Sequence, residues 1–200
     1  MSAGNSYFTE EVILQIFNSI SGKFDRIIVL APDLPAIHTY KALGYDDARA
    51  AKKARLNANR LLNRATRVLE QNKSDFKNIE IMKWAETIET NPQYQKEYSR
   101  IIDLFEQNAS FKEAALSATK LVLDSKKSFE EYAYLESVQY LLKEMAFVLA
   151  ANKIFRTDIA TYCYHKPWPI FEKLIAGDYD SKKYAENKFL LLHAFVKSSQ

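Results

Sequence analysis

The chain has 200 residues, 48% of them apolar, which is enough for one compact domain with a substantial core and too little for two ordinary ones. Its 28 basic and 25 acidic side chains give a formal charge of +3, but seven of the basic ones lie between Ala48 and Leu69 with no acid among them, so the rest of the chain is net −4. A single cysteine, Cys163, excludes an internal disulfide and zinc sites built on paired cysteines, and four glycines leave no room for a glycine-rich nucleotide-binding loop.

In chain order, Thr9 followed by Glu10 and Glu11 reads as a capped helix start, continued by Val12, Ile13, Ile16, Phe17 and Ile20 and ended at Gly22. Arg26–Ala31 is a short β-branched run stopped by Pro32-Asp33, the pattern of a strand buried on both faces of a parallel sheet. Further strands are expected at Ile79–Met82, Ile159–Tyr164 and Lys188–Phe195. Helices are expected near Asp46–Gln71, Asn91–Glu106, Ser110–Leu123, Ser128–Ala151 and Trp168–Ala176. This alternation predicts one α/β domain over residues 1–200, with a mostly parallel sheet and helices on its faces. No apolar run approaches the roughly 18–20 residues that span a bilayer, and no signal peptide is visible; with the lone cysteine, this points to a reducing, cytoplasmic setting away from membranes.

The basic segment is Arg49, Lys52, Lys53, Arg55, Arg60, Arg64 and Arg67. On a helix of about 100° per residue, Arg49, Lys53, Arg60, Arg64 and Arg67 form one stripe, opposite Ala51, Ala54, Ala58, Leu61, Leu62, Ala65, Val68 and Leu69. Like charges at helical spacing repel, and the segment holds no carboxylate to relieve them, so binding to a phosphate backbone is favoured over a merely solvated face. Such contacts position a nucleic acid without reading its sequence.

Three other constellations could carry chemistry. Ser2 to Phe8 puts small and polar residues just ahead of a helix N-terminus, where developing negative charge is favoured, although such stretches also serve as plain caps. Tyr140 and Glu144 are four apart and share a helix face, as a structural pair would too. Tyr162-Cys163-Tyr164-His165 closes a strand, and parallel sheets place ligands at such ends. His38 and His193 stand alone, and Trp84 reads as core.

Taken in order, these pieces resemble a cyclodipeptide synthase. The resemblance runs through Ser2 to Phe8, Ala42-Leu43-Gly44-Tyr45 with the basic helix, Tyr94 through Leu104-Phe105 and Phe111, Tyr140 with Glu144 and Phe147, and Tyr164-His165-Lys166-Pro167-Trp168. Asn5 with Tyr164 and His165 is similar to the subgroup defined by Asn, Tyr and His at these points. The resemblance implies a Rossmann-like domain similar to the catalytic domains of tyrosyl- and tryptophanyl-tRNA synthetases, acting on two aminoacyl-tRNAs by a ping-pong route. It implies Ser2 as nucleophile, Tyr140 and Glu144 as holders of the α-ammonium, Tyr164 as proton relay, and Asn5 and His165 as shapers of the site. It also implies the basic helix as the tRNA-binding element, no metal or other cofactor, and a monomer or weak dimer. A catalytically inactive tRNA-binding relative is the alternative; a serine esterase is disfavoured for want of a Gly-x-Ser-x-Gly elbow. Departures from the family pattern are the first strand, expected ahead of Ser2 and missing or truncated here, Ala146 for a proline, Ala114-Ala115 for a cysteine site, and Lys188-Phe189 for Gly-Tyr.

Overall fold

The computed structural model describes residues 1, 4–124 and 129–192. In chain order the elements are α1 (Glu10–Ile20), β1 (Ile27–Ala31), α2 (Asp33–Ala42), α3 (Asp47–Gln71), β2 (Ile79–Lys83), α4 (Trp84–Thr87), α5 (Pro92–Gln107), α6 (Ala109–Leu123), α7 (Glu131–Phe155), β3 (Ala160–Tyr164), α8 (Pro169–Ala176) and β4 (Asn187–Leu191).

The starts of the helices follow from short polar side chains. Thr9 accepts from the Val12 N–H at 3.2 Å, Asp46 from Arg49 N–H at 2.8 Å, and Asn108 from Phe111 N–H at 2.9 Å, each satisfying a donor that the first turn leaves unpaired. Two cores then form on either side of the strands. On one side Ile13, Phe17 and Ile20 of α1 meet Ala58, Leu61, Ala65 and Val68 of α3 over Ile27 and Val29. On the other, α5 to α8 enclose Trp84, Tyr94, Phe111, Leu142, Leu149 and Phe171.

Both strand pairings are parallel, β1 with β2 from Ile27 opposite Ile79, and β3 with β4 from Ala160 opposite Asn187. Among the described residues the strands therefore form two parallel pairs rather than one continuous sheet. A cavity of about 400 Å³ runs between Ile27–Leu30 of β1 and Ala160–Tyr164 of β3. β1 is buried as its composition requires, whereas every residue of β3 is only half-buried, because β3 borders this cavity.

Several boundaries differ from those expected. α7 runs on to Phe155, ended by Arg156 in the left-handed region (φ 53°), and its expected start at Ser128 lies outside the described residues. The last strand begins at Asn187 and ends at Leu191, while residues 193–195 of the expected strand lie outside the description. α2 was not anticipated. It carries Pro35 within its first turn and no clear apolar stripe, and it forms between β1 and α3 because it packs on α7 and α3.

A buried carboxylate ties the segment between α8 and β4 to α5. Glu97 of α5 is 3% exposed and accepts from Arg100 Nε at 2.9 Å, Tyr184 at 2.9 Å and Lys182 at 3.2 Å, and Arg100 reaches on to Asp180. Burial alone would raise the Glu97 pKa; the hydrogen bonds from Arg100, Tyr184 and Lys182 outweigh it and hold the carboxyl down at about 2. A folded-state pKa below the unfolded value stabilises at neutral pH, and that stability is lost as pH falls from about 4.5 toward 2. Glu97→Gln is expected to lower unfolding free energy by roughly 3 kcal/mol at pH 7 and to flatten the acid limb of a urea-denaturation series, because three donors lose a buried anion.

Candidate active site

The N-terminal loop, the C-terminal end of β3 and one face of α7 converge at the mouth of the cavity. Ser2 lies outside the described residues, flanked by Met1, whose backbone nitrogen donates to the Leu30 carbonyl at 2.8 Å, and by Gly4. Gly4 has φ +81°, and a Cβ there would stand 3.1 Å from the Tyr40 hydroxyl. Asn5 closes a turn by accepting from Tyr7 N–H at 2.9 Å, which leaves its amide nitrogen 3.5 Å from His165 Nε2. The Tyr7 ring stacks on His165 with centroids 4.2 Å apart, and Phe8 meets the same imidazole edge-on at 5.1 Å. Loop and strand end are thereby joined through His165.

Burial, then Lys166 and the Met1 ammonium, lower the His165 pKa to about 4. The imidazole is neutral at physiological pH, and its buried Nδ1 has no hydrogen-bond partner among the described residues. Such a ring can shape a site and offer a neutral hydrogen bond there. It is a poor source of positive charge.

Glu144 projects from α7, one turn after Tyr140, and accepts from the Tyr162 hydroxyl at 2.9 Å. Burial raises the Glu144 pKa, an effect offset in part by the Met1 ammonium and by the Tyr162 hydrogen bond. Tyr162 is itself raised well above its ordinary value by burial and by Glu144, Tyr164 and Tyr140, which puts all four side chains in one neighbourhood. Beyond them the cavity is lined by Leu30, Trp84, Phe147 and Val148. A carboxylate held in apolar surroundings is costly unless a cation joins it, so this arrangement is suited to bind an ammonium whose attached group is apolar. Cys163 is no rival nucleophile, since burial pushes its thiol up to about 11.

Of the residues singled out in the sequence, the structure brings Glu144, Tyr164 and His165 to the cavity wall, with Asn5 beside His165 and Tyr140 a turn away on α7. Tyr162 was missed as a partner of Glu144. A signal was available: residues two apart on a strand share a face, so placing Tyr164 in the site places Tyr162 on the same side. His38 does not stand alone, for its Nδ1 lies 2.9 Å from Glu136.

The basic helix has two kinds of cation. Lys52, Arg55 and Arg60 are exposed and meet no carboxylate among the described residues. The others are engaged: Arg49 with Asp46 at 3.4 Å, Lys53 over the Tyr45 ring at 4.5 Å, Arg67 with Glu10 at 2.6 Å, and Arg64 donating to the Phe8 carbonyl at 2.9 Å. Of these contacts, Glu10 neutralises Arg67 from another segment and Asp46 offsets Arg49 at the helix start, while Lys53 and Arg64 are held by uncharged groups.

Comparison with known proteins gives one consistent answer. Residues 1–193 match the family model described as cyclodipeptide synthase. A cyclo(L-leucyl-L-leucyl) synthase of Staphylococcus haemolyticus is 26% identical over 213 aligned positions, spanning 96% of this chain and 84% of the relative. A cyclodipeptide synthase from Bacillus thermoamylovorans superposes with a TM-score of 0.84 at 23% identity, covering 98% of this chain and 87% of that one. A Mycobacterium tuberculosis protein, described as demonstrating that cyclodipeptide synthetases are related to type I tRNA synthetases, superposes with a TM-score of 0.78 at 19% identity over 94% of this chain and 81% of that one.

Proposed function

Because the chain belongs to the cyclodipeptide synthase family, we propose that it joins two aminoacyl groups carried by tRNA into a cyclic dipeptide, with Ser2 as the covalent attachment point. The aminoacyl ester of a charged tRNA is already activated, so no nucleotide hydrolysis is required. The Ser2 hydroxyl attacks the first ester carbonyl; the bond to the tRNA ribose breaks, and the proton leaves with the ribose hydroxyl. The α-amine of the Ser2-bound residue then attacks the second aminoacyl-tRNA, releasing the second tRNA and leaving a dipeptidyl ester on Ser2. Attack of the free dipeptide amine on that ester closes the six-membered ring and returns the Ser2 hydroxyl.

The partly buried Glu144 carboxylate carries this reading. It sits in an apolar-lined cavity beside the loop that follows Ser2, where it can receive the α-ammonium of the bound residue, with Tyr140 on the same helix face as its helper. Tyr164, at the end of β3, is assigned the proton relay during ring closure, and Asn5 with neutral His165 holds the loop against that strand. Leu30, Trp84, Phe147 and Val148 favour an apolar aminoacyl side chain, in keeping with the leucine-joining relative. Expressing the chain in bacteria and analysing the medium by mass spectrometry is expected to show leucine-containing cyclic dipeptides; a medium identical to that of the empty vector counts against the reading.

The tRNA is assigned to the exposed cations of α3. Reversing Arg55 and Arg60 to Glu is expected to weaken tRNA binding at least about tenfold at low salt and to reduce the salt dependence by about one phosphate contact per residue, with no loss of thermal stability. Filter binding across a salt series measures both. Unchanged affinity removes the tRNA from this face.

A further inference from the structure

We propose that the inner edge of α3 is a positioning device for the loop from Gly4 to Phe8, with Asn57 and Arg64 as its two anchors, while only the outer face of the helix remains for RNA. The proposal deepens the function proposed above and takes its chemistry from it.

Asn57 and Arg64 are seven residues apart, two turns along the same side of α3, and both are only partly exposed where Lys52, Arg55 and Arg60 are fully so. Their side chains point to the loop. Asn57 Nδ2 donates to the Tyr40 hydroxyl, and that hydroxyl, with the Asn57 amide behind it, forms the wall against Gly4: a Cβ on Gly4 would lie 3.1 Å from Tyr40 Oη and 3.5 Å from Asn57 Nδ2. At the other end of the loop, Arg64 Nη1 donates to the Phe8 carbonyl at 2.9 Å. Phe8 is 2% exposed, and the very next residue, Thr9, caps α1. The loop is thus bonded to α3 directly at its Phe8 end, through Arg64, while at its Gly4 end it lies against the Tyr40 hydroxyl of α2, which Asn57 holds from α3; between these points Asn5 and Tyr7 present themselves to His165.

This placement has a mechanistic consequence. Ser2 lies two residues ahead of the Gly4 contact, and a displaced nucleophile loses rate steeply; a shift of about 1 Å can cost on the order of a hundredfold. A tRNA docked on the outer face of α3 and a loop fixed to its inner edge share one rigid body, so the helix sets the distance between the RNA and the reacting ester. Arg64, although it belongs to the basic segment by sequence, is spent on the loop.

The test compares Asn57→Ala and Arg64→Gln with the outer-face variant Arg60→Glu. Amide hydrogen exchange is read in the Gly4–Thr9 segment, where the Tyr7 and Thr9 N–H groups are bonded within the loop. Either anchor variant should raise exchange in this segment about tenfold while α1 and α7 stay protected, as expected for one lost hydrogen bond. In the same variants the rate of aminoacyl transfer to the enzyme should fall about tenfold or more with tRNA affinity unchanged for Asn57→Ala, whereas Arg60→Glu should weaken tRNA binding and leave loop exchange untouched. Unaltered loop exchange in both anchor variants overturns the proposal. So does a loss of tRNA affinity in Asn57→Ala with the loop still protected, which assigns Asn57 to the RNA surface. Should the wild-type protein transfer no aminoacyl group, the proposed chemistry fails, yet the exchange measurement still decides whether α3 holds the loop.

Discussion

Glu144→Gln is expected to abolish cyclic-dipeptide formation and, at the same time, to make the protein more stable at neutral pH. The two effects share one cause. Glu144 is a partly buried carboxyl at the cavity wall whose folded-state pKa lies above its ordinary value, chiefly through loss of hydration. The folded state therefore binds a proton more readily than the unfolded state; stability falls as pH rises through the unfolded pKa toward the folded one, and the full penalty applies above it. A neutral glutamine removes that penalty while its carbonyl can still accept from Tyr162, so melting temperature should rise and its decline with pH should flatten. Catalysis should move the other way. An α-ammonium placed in this cavity without its counter-charge is a buried unpaired cation, a loss of about 3–5 kcal/mol, or roughly 10²–10³-fold in rate. Product measured by mass spectrometry, alongside thermal melts over a pH series, checks both halves. A variant that is destabilised yet active would make the Glu144–Tyr162 contact purely structural.

The second large effect belongs to Ser2. Ser2→Ala is expected to eliminate both product and covalent intermediate, with tRNA affinity and melting temperature unchanged, because the hydroxyl is assigned to bond-making alone. The cavity offers no substitute thiolate, since Cys163 keeps its proton up to about pH 11. Residual product in Ser2→Ala at more than a small fraction of wild type would point to direct attack of one aminoacyl-tRNA on the other, with the protein acting as a template.

Most of the architecture could be read from the chain because its signals are local. Thr9, Asp46 and Asn108 cap the helices they precede, and Ala54, Ala58, Leu61, Leu62, Ala65 and Val68 of the expected α3 stripe face the core, whereas Ala51 is exposed, Leu69 is half-buried and Ala50 is buried at the start of the helix instead. α2 escaped notice because neither propensity nor apolar spacing marks it; tertiary packing on α7 and α3 makes it a helix. The division of the sheet is likewise a long-range outcome, since strand pairing depends on segments far apart in sequence.

At the site the same distinction holds. Asn5, Glu144, Tyr164 and His165 are expected site residues from an ordered resemblance; Glu144, Tyr164 and His165 line the cavity and Asn5 lies beside His165. What could not be read was who engages whom. Arg64 and Arg67 look like free cations within their own helix, and their partners, the Phe8 carbonyl and Glu10, lie more than fifty residues earlier. Strand spacing puts Tyr162 on the same face as Tyr164, but that its hydroxyl meets Glu144 is a contact between a strand and a helix that spacing alone does not encode. Pairings of this kind decide which side of α3 is open to a polyanion and how the carboxylate is held.

The proposed function requires an aminoacyl group to pass from tRNA to Ser2. Mixing the purified protein with leucyl-tRNA, quenching in acid and mapping the adduct by peptide mass spectrometry tests it most directly. A leucyl ester on the peptide containing Ser2, absent from Ser2→Ala and much reduced in Glu144→Gln, is the predicted result. Salt-sensitive tRNA binding with no adduct and no cyclic dipeptide would contradict it and leave a tRNA-binding relative without the chemistry.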